Sequence, residues 1–195
     1  MHSRALALAS TVVDQVRPGD AGRPTPCPPW DLQALLAHMI GQNHGFADAV
    51  ESSADVPVTA FAPRRYAERP GTEWQASCDR ILGVFARCDP RRPVLLPEIS
   101  TEQRFPATTV VGFHLLDTVV HGWDVATSLD VPYRPDDDLV AVTLRLAELV
   151  PDGPDRERPN AAFRPAVPTA ADADPWLRAL ARLGRSAGAN TARPA

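Results

Sequence analysis

The residues with the most chemical potential lie in HLLDTVVHGWDVATSLD, residues 114–130. His114, Asp117, His121 and Asp124 recur at intervals of three or four, the repeat that gathers side chains on one helical face. Asp117 and His121 are four apart, so on a helix their Cβ atoms lie about 6 Å from each other. A carboxylate oxygen and a neutral imidazole at that separation can share one cation, and this donor mixture suits zinc, nickel or ferrous iron over calcium. The same pair can equally close a hydrogen bond inside a bundle, and spacing leaves both open. His114 is two turns from His121, about 10.5 Å along the axis, which makes it a reserve ligand or a supporting group. Asp124 can accept a hydrogen from a ligating imidazole or pair locally.

A cation needs a third protein ligand, and the best helical candidate is His38, set in the apolar stretch DLQALLAHMIGQNHGFADAV. A buried histidine there needs a partner, whether a core hydrogen bond or a metal. Arg64 and Arg65, with Arg69 in the same loop, could hold a substrate carboxylate or stand as solvated loop charges. Trp123 reads as interhelical packing, His2 and His44 as surface residues. No residue is assigned as a catalytic acid or base.

Composition removes several mechanisms. All 20 basic residues are Arg, so neither a Schiff base nor a lysine general base is available. The net charge is −4 with charges of both signs dispersed, which leaves no footprint for nucleic acid or a membrane surface. Cys27, Cys78 and Cys88 are widely spaced without a CxxC; they read as small hydrophobes in a reducing cytoplasm, with a reactive thiol as the alternative. No run reaches the roughly 20 apolar residues of a membrane span, and the N-terminal stretch reads as an amphipathic helix, not a signal peptide.

The elements that must position these residues are helical. Residues 3–16 carry Leu6, Val12, Val13 and Val16 as a stripe, ended by Pro18 and Gly19. RPTPCPPWD is expected to be extended, with Asp31 capping the next helix. That helix shows Leu32, Leu35, Leu36, Met39, Ile40 and Phe46 at helical spacing. Residues 51–71 form a long loop, and a third helix follows in TEWQASCDRILGVFARC. RRPVLLPEISTEQRFP fits a small hairpin interrupted by Pro97 and Pro106. The fourth helix is rich in β-branched residues and must be held by burial. DDLVAVTLRLAELV makes a fifth helix, and a Pro- and Arg-rich stretch closes with WLRALARLG and a polar tail. The expectation is an all-α four-helix bundle with extra short helices and a small β-hairpin before the fourth helix. It forms one domain, 1–195, with a core over 1–150 and an extension over 151–195.

Two stretches carry a family resemblance. TPCPPWDLQALLAHMIGQN and LLDTVVHGWDVATSL resemble the signature segments of the DinB-like bundle superfamily, in its actinobacterial metal-binding branch related to the mycothiol-dependent maleylpyruvate isomerases. The match falls on Thr25, Pro26, Cys27, Trp30, Asp31, His38, Asp117, His121, Trp123 and Asp124. It extends from about residue 3 to 185, including the F-x-P-x-V-P segment from Phe163 to Pro168. The resemblance implies an up-and-down four-helix bundle and a divalent-metal site of His38, Asp117 and His121, usually filled by zinc or nickel. Asp117 stands where the isomerases carry Glu. Those isomerases also have a separate C-terminal domain, where about 45 residues follow the fifth helix here.

The expected function is metal-dependent chemistry on a small electrophilic metabolite: isomerisation, thiol addition or transfer, with mycothiol as a thiol cofactor. The alternatives are a cavity-guided cyclase or hydrolase of a biosynthetic pathway, and a non-catalytic metal-binding bundle. The expected partner is a small-molecule substrate, and the bundle can pair as a homodimer.

Overall fold

The computed structural model describes residues 1–67, 69–158 and 161–186. Among the described residues six α-helices run over His2–Val13 (α1), Leu32–Glu51 (α2), Gly71–Arg87 (α3), Ala107–Leu129 (α4), Asp137–Leu149 (α5) and Pro175–Arg182 (α6). Strands Pro93–Leu95 (β1) and Arg104–Pro106 (β2) pair antiparallel with Val94 opposite Phe105. The fold is the expected helical bundle of DinB-like class with a small hairpin. The polar tail over 187–195 lies outside the described residues.

Local chemistry sets the helix ends. Asp31 accepts from the Ala34 N–H at 2.8 Å, Asp136 from Leu139 at 3.0 Å and Asp174 from Trp176 at 2.8 Å. Each satisfies a donor that the first turn leaves without a helical partner. Asp130 ends α4 in the left-handed conformation at φ 58°, which Asp tolerates better than most residues. The segment RPTPCPPWD is not extended as expected: the Trp30 N–H returns to the Cys27 carbonyl, and Pro24 bridges Asp31. This closed turn swings Trp30 and Cys27 toward the bundle.

The core bundle is α1 on α4, α4 on α2, α2 on α3, and α3 back on α1. Contacts fix the helix senses. His38 of α2 meets His121 of α4 while Asn43 meets His114, so those helices are antiparallel. Asn43 meets Ser77 and His2 meets His114, and the four helices run up, down, down, up. Parallel neighbours α2 and α3 require a long return, which residues 52–70 supply. Its middle, a 3-10 turn over Val58–Phe61, lies hard on α2: a Cβ at Gly41 would sit 2.4 Å from the Ala62 carbonyl oxygen. Glycine is therefore what lets the loop cross α2 one turn beyond His38.

Helix α4 is apolar or buried nearly all round, from Val110 through Ser128, as befits a central element. Burial overrides the weak helix propensity of its Val and Thr residues. Helix α6 packs on α5, and Trp176, Ala179, Leu180 and Leu183 join the same core as α1 and α4. No helix among the described residues is long and apolar enough to cross a membrane.

Candidate metal centre

Three of the residues singled out above converge where α2 faces α4. The ligand atoms of His38, Asp117 and His121 lie within 4.8 Å of one another, with the His38 and His121 rings 5.3 Å apart and nearly perpendicular. His121 Nε2 is 3.2 Å from Asp117 Oδ1. Two ligands on a tetrahedral zinc ion stand roughly 3.3 Å apart, given bonds near 2 Å, so that separation suits a shared cation as well as a shared proton. The His121 ring is buried, whereas His38 and Asp117 are half-buried. The three donors thus fit a divalent ion with positions to spare.

Electrostatics divides the two histidines. Burial pushes His38 down to about 4, partly opposed by the Asp117 charge and reinforced by His121; its imidazole is neutral, as ligation requires. Burial also disfavours charge on His121, but the carboxylate of Asp117 and hydrogen bonds to Asp117, Asp124 and Cys27 outweigh it and raise its pKa well above the ordinary value. Burial alone would raise Asp117; the His121 charge and hydrogen bond hold it far below the usual carboxylate range. Without a cation, His121 is the charge between two carboxylates. A cation at its Nε2 would replace that proton.

The other nitrogen of His121 faces a second set of groups. Nδ1 lies 2.9 Å from Asp124 Oδ2, and the same oxygen takes Cys27 Sγ at 3.0 Å and Arg185 Nη2 at 2.8 Å. Cys27, His121 and Asp124 also have donors within 4.8 Å of one another, but the Arg185 guanidinium already supplies the positive charge there. Asp124 is fully buried, and the Arg185 and His121 interactions overcome that burial to keep its pKa low.

Beside the donors stand Trp30, whose ring lies 4.5 Å from that of His38, and Glu98, which feels the Asp117 charge. Gln42, one turn beyond His38, donates through Nε2 to Glu98 Oε2 at 2.9 Å. Burial and the neighbouring Asp117 charge push the Glu98 carboxyl up, against the Gln42 hydrogen bond.

Several expected residues are elsewhere. His114 is no reserve ligand. Its ring is buried, with Nε2 at 2.8 Å from Asn43 Oδ1 and Nδ1 at 2.8 Å from His2 Nε2. His2 is accordingly a core residue, not a surface one. Arg64 and Arg65 are exposed; the Arg64 charge acts on His44, and its backbone N–H binds the Ala37 carbonyl at 2.8 Å. Among the described residues neither arginine side chain makes a hydrogen bond or ion pair with the three donors, although the Arg64 backbone lies against the residue before His38. Cys27 is not merely a small hydrophobe, since its sulfur joins Asp124 and Arg185. Arg185 escaped notice because 61 residues separate it from Asp124, and no periodicity spans such a gap. Trp123 packs in the core as expected.

Fold and site together define a DinB-like helical bundle with a convergent histidine–carboxylate cluster. The chain belongs to the family described as "Mycothiol maleylpyruvate isomerase N-terminal domain", which matches residues 3–126. It is 24% identical over 188 residues to two uncharacterized proteins from strains of Mycobacterium tuberculosis, across 95% of this chain and 96% of theirs. Its fold resembles the crystal structure of the mycothiol-dependent maleylpyruvate isomerase, with a TM-score of 0.58 at 14% identity. That similarity covers 75% of this chain and 65% of the isomerase chain.

Proposed function

We propose that the protein is an enzyme of small-molecule metabolism that holds a divalent cation, zinc or nickel, on His38, Asp117 and His121. The reaction class is isomerisation, thiol addition or thiol transfer on an electrophilic metabolite, with mycothiol or a similar low-molecular-weight thiol as co-reactant. One observation carries the reading: the ligand atoms of a neutral imidazole, a second imidazole paired with Asp124, and a carboxylate lie within 4.8 Å of one another. Family membership supports the reaction class, and the absence of lysine leaves no Schiff-base route.

The bound cation supplies Lewis acidity, able to favour a thiolate over a thiol or to polarise a carbonyl. The protein's residues do the rest. Asp117 contributes the negative charge that draws a cation to two neutral imidazoles. The Trp30 ring covers one face of His38 and narrows the approach of water. Glu98, held by Gln42 and pushed up by burial and the Asp117 charge, would pass a proton to or from a substrate bound beside Asp117. The free thiols suit a reducing cytoplasmic setting.

Metal analysis of untagged protein tests the core of this reading. About one equivalent of divalent ion is expected in the wild type, and its loss in His38→Ala, Asp117→Asn and His121→Ala with helical circular dichroism unchanged. Wild-type protein that stays metal-free after dialysis against micromolar zinc and nickel would refute it. Calorimetric titration with mycothiol tests the thiol: binding to the loaded protein alone is expected, and equal binding to His121→Ala would separate the thiol from the cation.

A further inference from the structure

The Asp124 carboxylate that faces His121 does not hold its position unaided. Its counter-charge comes from residue 185, well beyond the family match at 3–126. Arg185 reaches it with two prongs, Nε to Oδ1 at 3.3 Å and Nη2 to Oδ2 at 2.8 Å. Its other contacts are Cys27 Sγ at 3.0 Å from Nη2 and the Leu183 carbonyl at 2.8 Å from Nη1. The ring of Phe163 lies 5.5 Å from the guanidinium carbon. Arg185 is 4% exposed. Its donors are turned to protein groups, so this arginine is not one that meets a substrate anion.

The chain is built to bring it there. Gly184 adopts φ +80°, and a Cβ on it would fall 2.6 Å from the Arg164 Cβ, so the turn after α6 needs glycine twice over. Arg164 in turn donates to the Pro28 carbonyl at 2.9 Å, next to Cys27. The extension is therefore stapled to the 24–31 turn on one side and to Asp124 on the other.

We propose that Arg185 is a positioning residue: its fork fixes the plane of the Asp124 carboxylate, which holds His121 with Nδ1–H donated to Asp124 and Nε2 turned toward Asp117 and His38. A buried carboxylate with no cation beside it is costly and turns away from a low-dielectric site. A fork, unlike a point charge, sets an angle as well as a distance. The His121 orientation is what a ligating imidazole needs from its outer partner, so the inference rests in part on the cation reading above, and its test separates the two.

The test uses nitrogen-15 NMR of the histidine side chains together with a Co²⁺ titration followed by visible absorption. In the wild type a downfield, exchange-protected Nδ1–H of His121 is expected before any cation is added. Co²⁺ then binds with ligand-field bands that vanish in His38→Ala. In Arg185→Met the protected proton is lost and Co²⁺ affinity falls about 10- to 100-fold. Arg185→Lys keeps the charge and thus the fold, but not the fork; it is expected to show a faster-exchanging proton, altered bands and an intermediate affinity. A folded Arg185→Met or Arg185→Lys protein with a wild-type proton and wild-type affinity overturns the proposal, as does a wild type without the protected proton. A wild type that shows the proton but does not bind Co²⁺ overturns the cation reading and leaves the positioning intact.

Discussion

The two aspartates on α4 touch the same imidazole and differ in what stands behind them. Asp117 is 23% exposed at its side chain, whereas Asp124 is fully enclosed against Arg185. Breaking a buried pair by neutralising one member leaves the other charge uncompensated, at about 3–5 kcal/mol. Asp124→Asn is therefore expected to lower unfolding free energy in urea by that amount, and Asp117→Asn by much less while abolishing bound metal. Equal losses from the two would contradict this division of roles. The i, i+4 pair Asp117/His121 was legible in the sequence because a helix imposes that neighbourhood. His38 was visible only as a polar residue in an apolar stretch. Cys27 was visible only as a position of the family motif and Arg185 not at all, since a turn and a 61-residue separation decide their contacts.

Among the elements, the docking of α1 onto α4 carries a second polar cluster that the sequence hid. Asn43 donates from Nδ2 to Ser77 Oγ at 2.8 Å, so its Oδ1 accepts from His114 Nε2–H, and His114 Nδ1 accepts from His2 Nε2–H. Both rings are neutral in this chain of bonds. Burial first, then the N-terminal ammonium, pushes His2 down to about 4. Burial and His2 push His114 down to about 3 against the Asp117 charge. Each folded pKa lies below the ordinary value near 6.5, so the unfolded chain takes up these protons first and stability falls as pH drops from about 6.5 toward 4. The shift at His2 alone is worth about 3 kcal/mol at most over that window. The lowered carboxylates lose their contribution only below the usual carboxylate range, and raised His121 loses its own only above pH 6.5, so neither slopes here; His38 and His44, lowered chiefly by burial, slope the same way as His2 and His114, and Glu98, raised by burial, slopes against them. Urea unfolding at pH 7 and pH 4.5 is expected to differ by a few kcal/mol, and His2→Gln/His114→Gln to reduce the difference, with His38 and His44 keeping the remainder. An undiminished slope in that double variant would place the acid sensitivity elsewhere. The helices themselves were legible from apolar spacing to within a few residues, because their faces repeat locally. The parallel pairing of α2 and α3 was not, because helix sense depends on how the 52–70 return folds over α2.

For the molecule as a whole, the sequence suggested a core over 1–150 with a Pro- and Arg-rich appendage. Within the described part of that extension, 151–158 and 161–186, the short helix α6 and Leu183 pack into the core, while most of 151–158 and 161–174 is exposed or half-buried. Trp176, Leu180 and Leu183 are all 0% exposed. Arg156 donates to the carbonyls of Pro151 at 2.7 Å and Arg182 at 2.6 Å, which binds the start of the extension to the end of α6. Arg134 grips Asp174 with two hydrogen bonds of 3.0 and 2.9 Å at the N-terminus of α6. The short helix was legible from its apolar spacing, whereas the arginine contacts that tie the extension down were not, because their partners are distant in sequence or are backbone carbonyls. Burying the three large side chains contributes about 6 kcal/mol at 1.5–3 kcal/mol each, similar to the whole net stability of a domain, about 5–15 kcal/mol. Deletion of residues 151–195 is therefore expected to leave no cooperative fold, and not merely an opened site: Asp124 would lose Arg185, and α5 would lose the helix that covers it. The full chain is expected to give one calorimetric transition with matching van't Hoff and calorimetric enthalpies. The 1–150 fragment is expected to give weak near-ultraviolet dichroism and no sharp transition. A fragment that melts cooperatively and still binds one equivalent of zinc would show that the bundle alone organises His38, Asp117 and His121. In that case Arg185 would have no place in holding them.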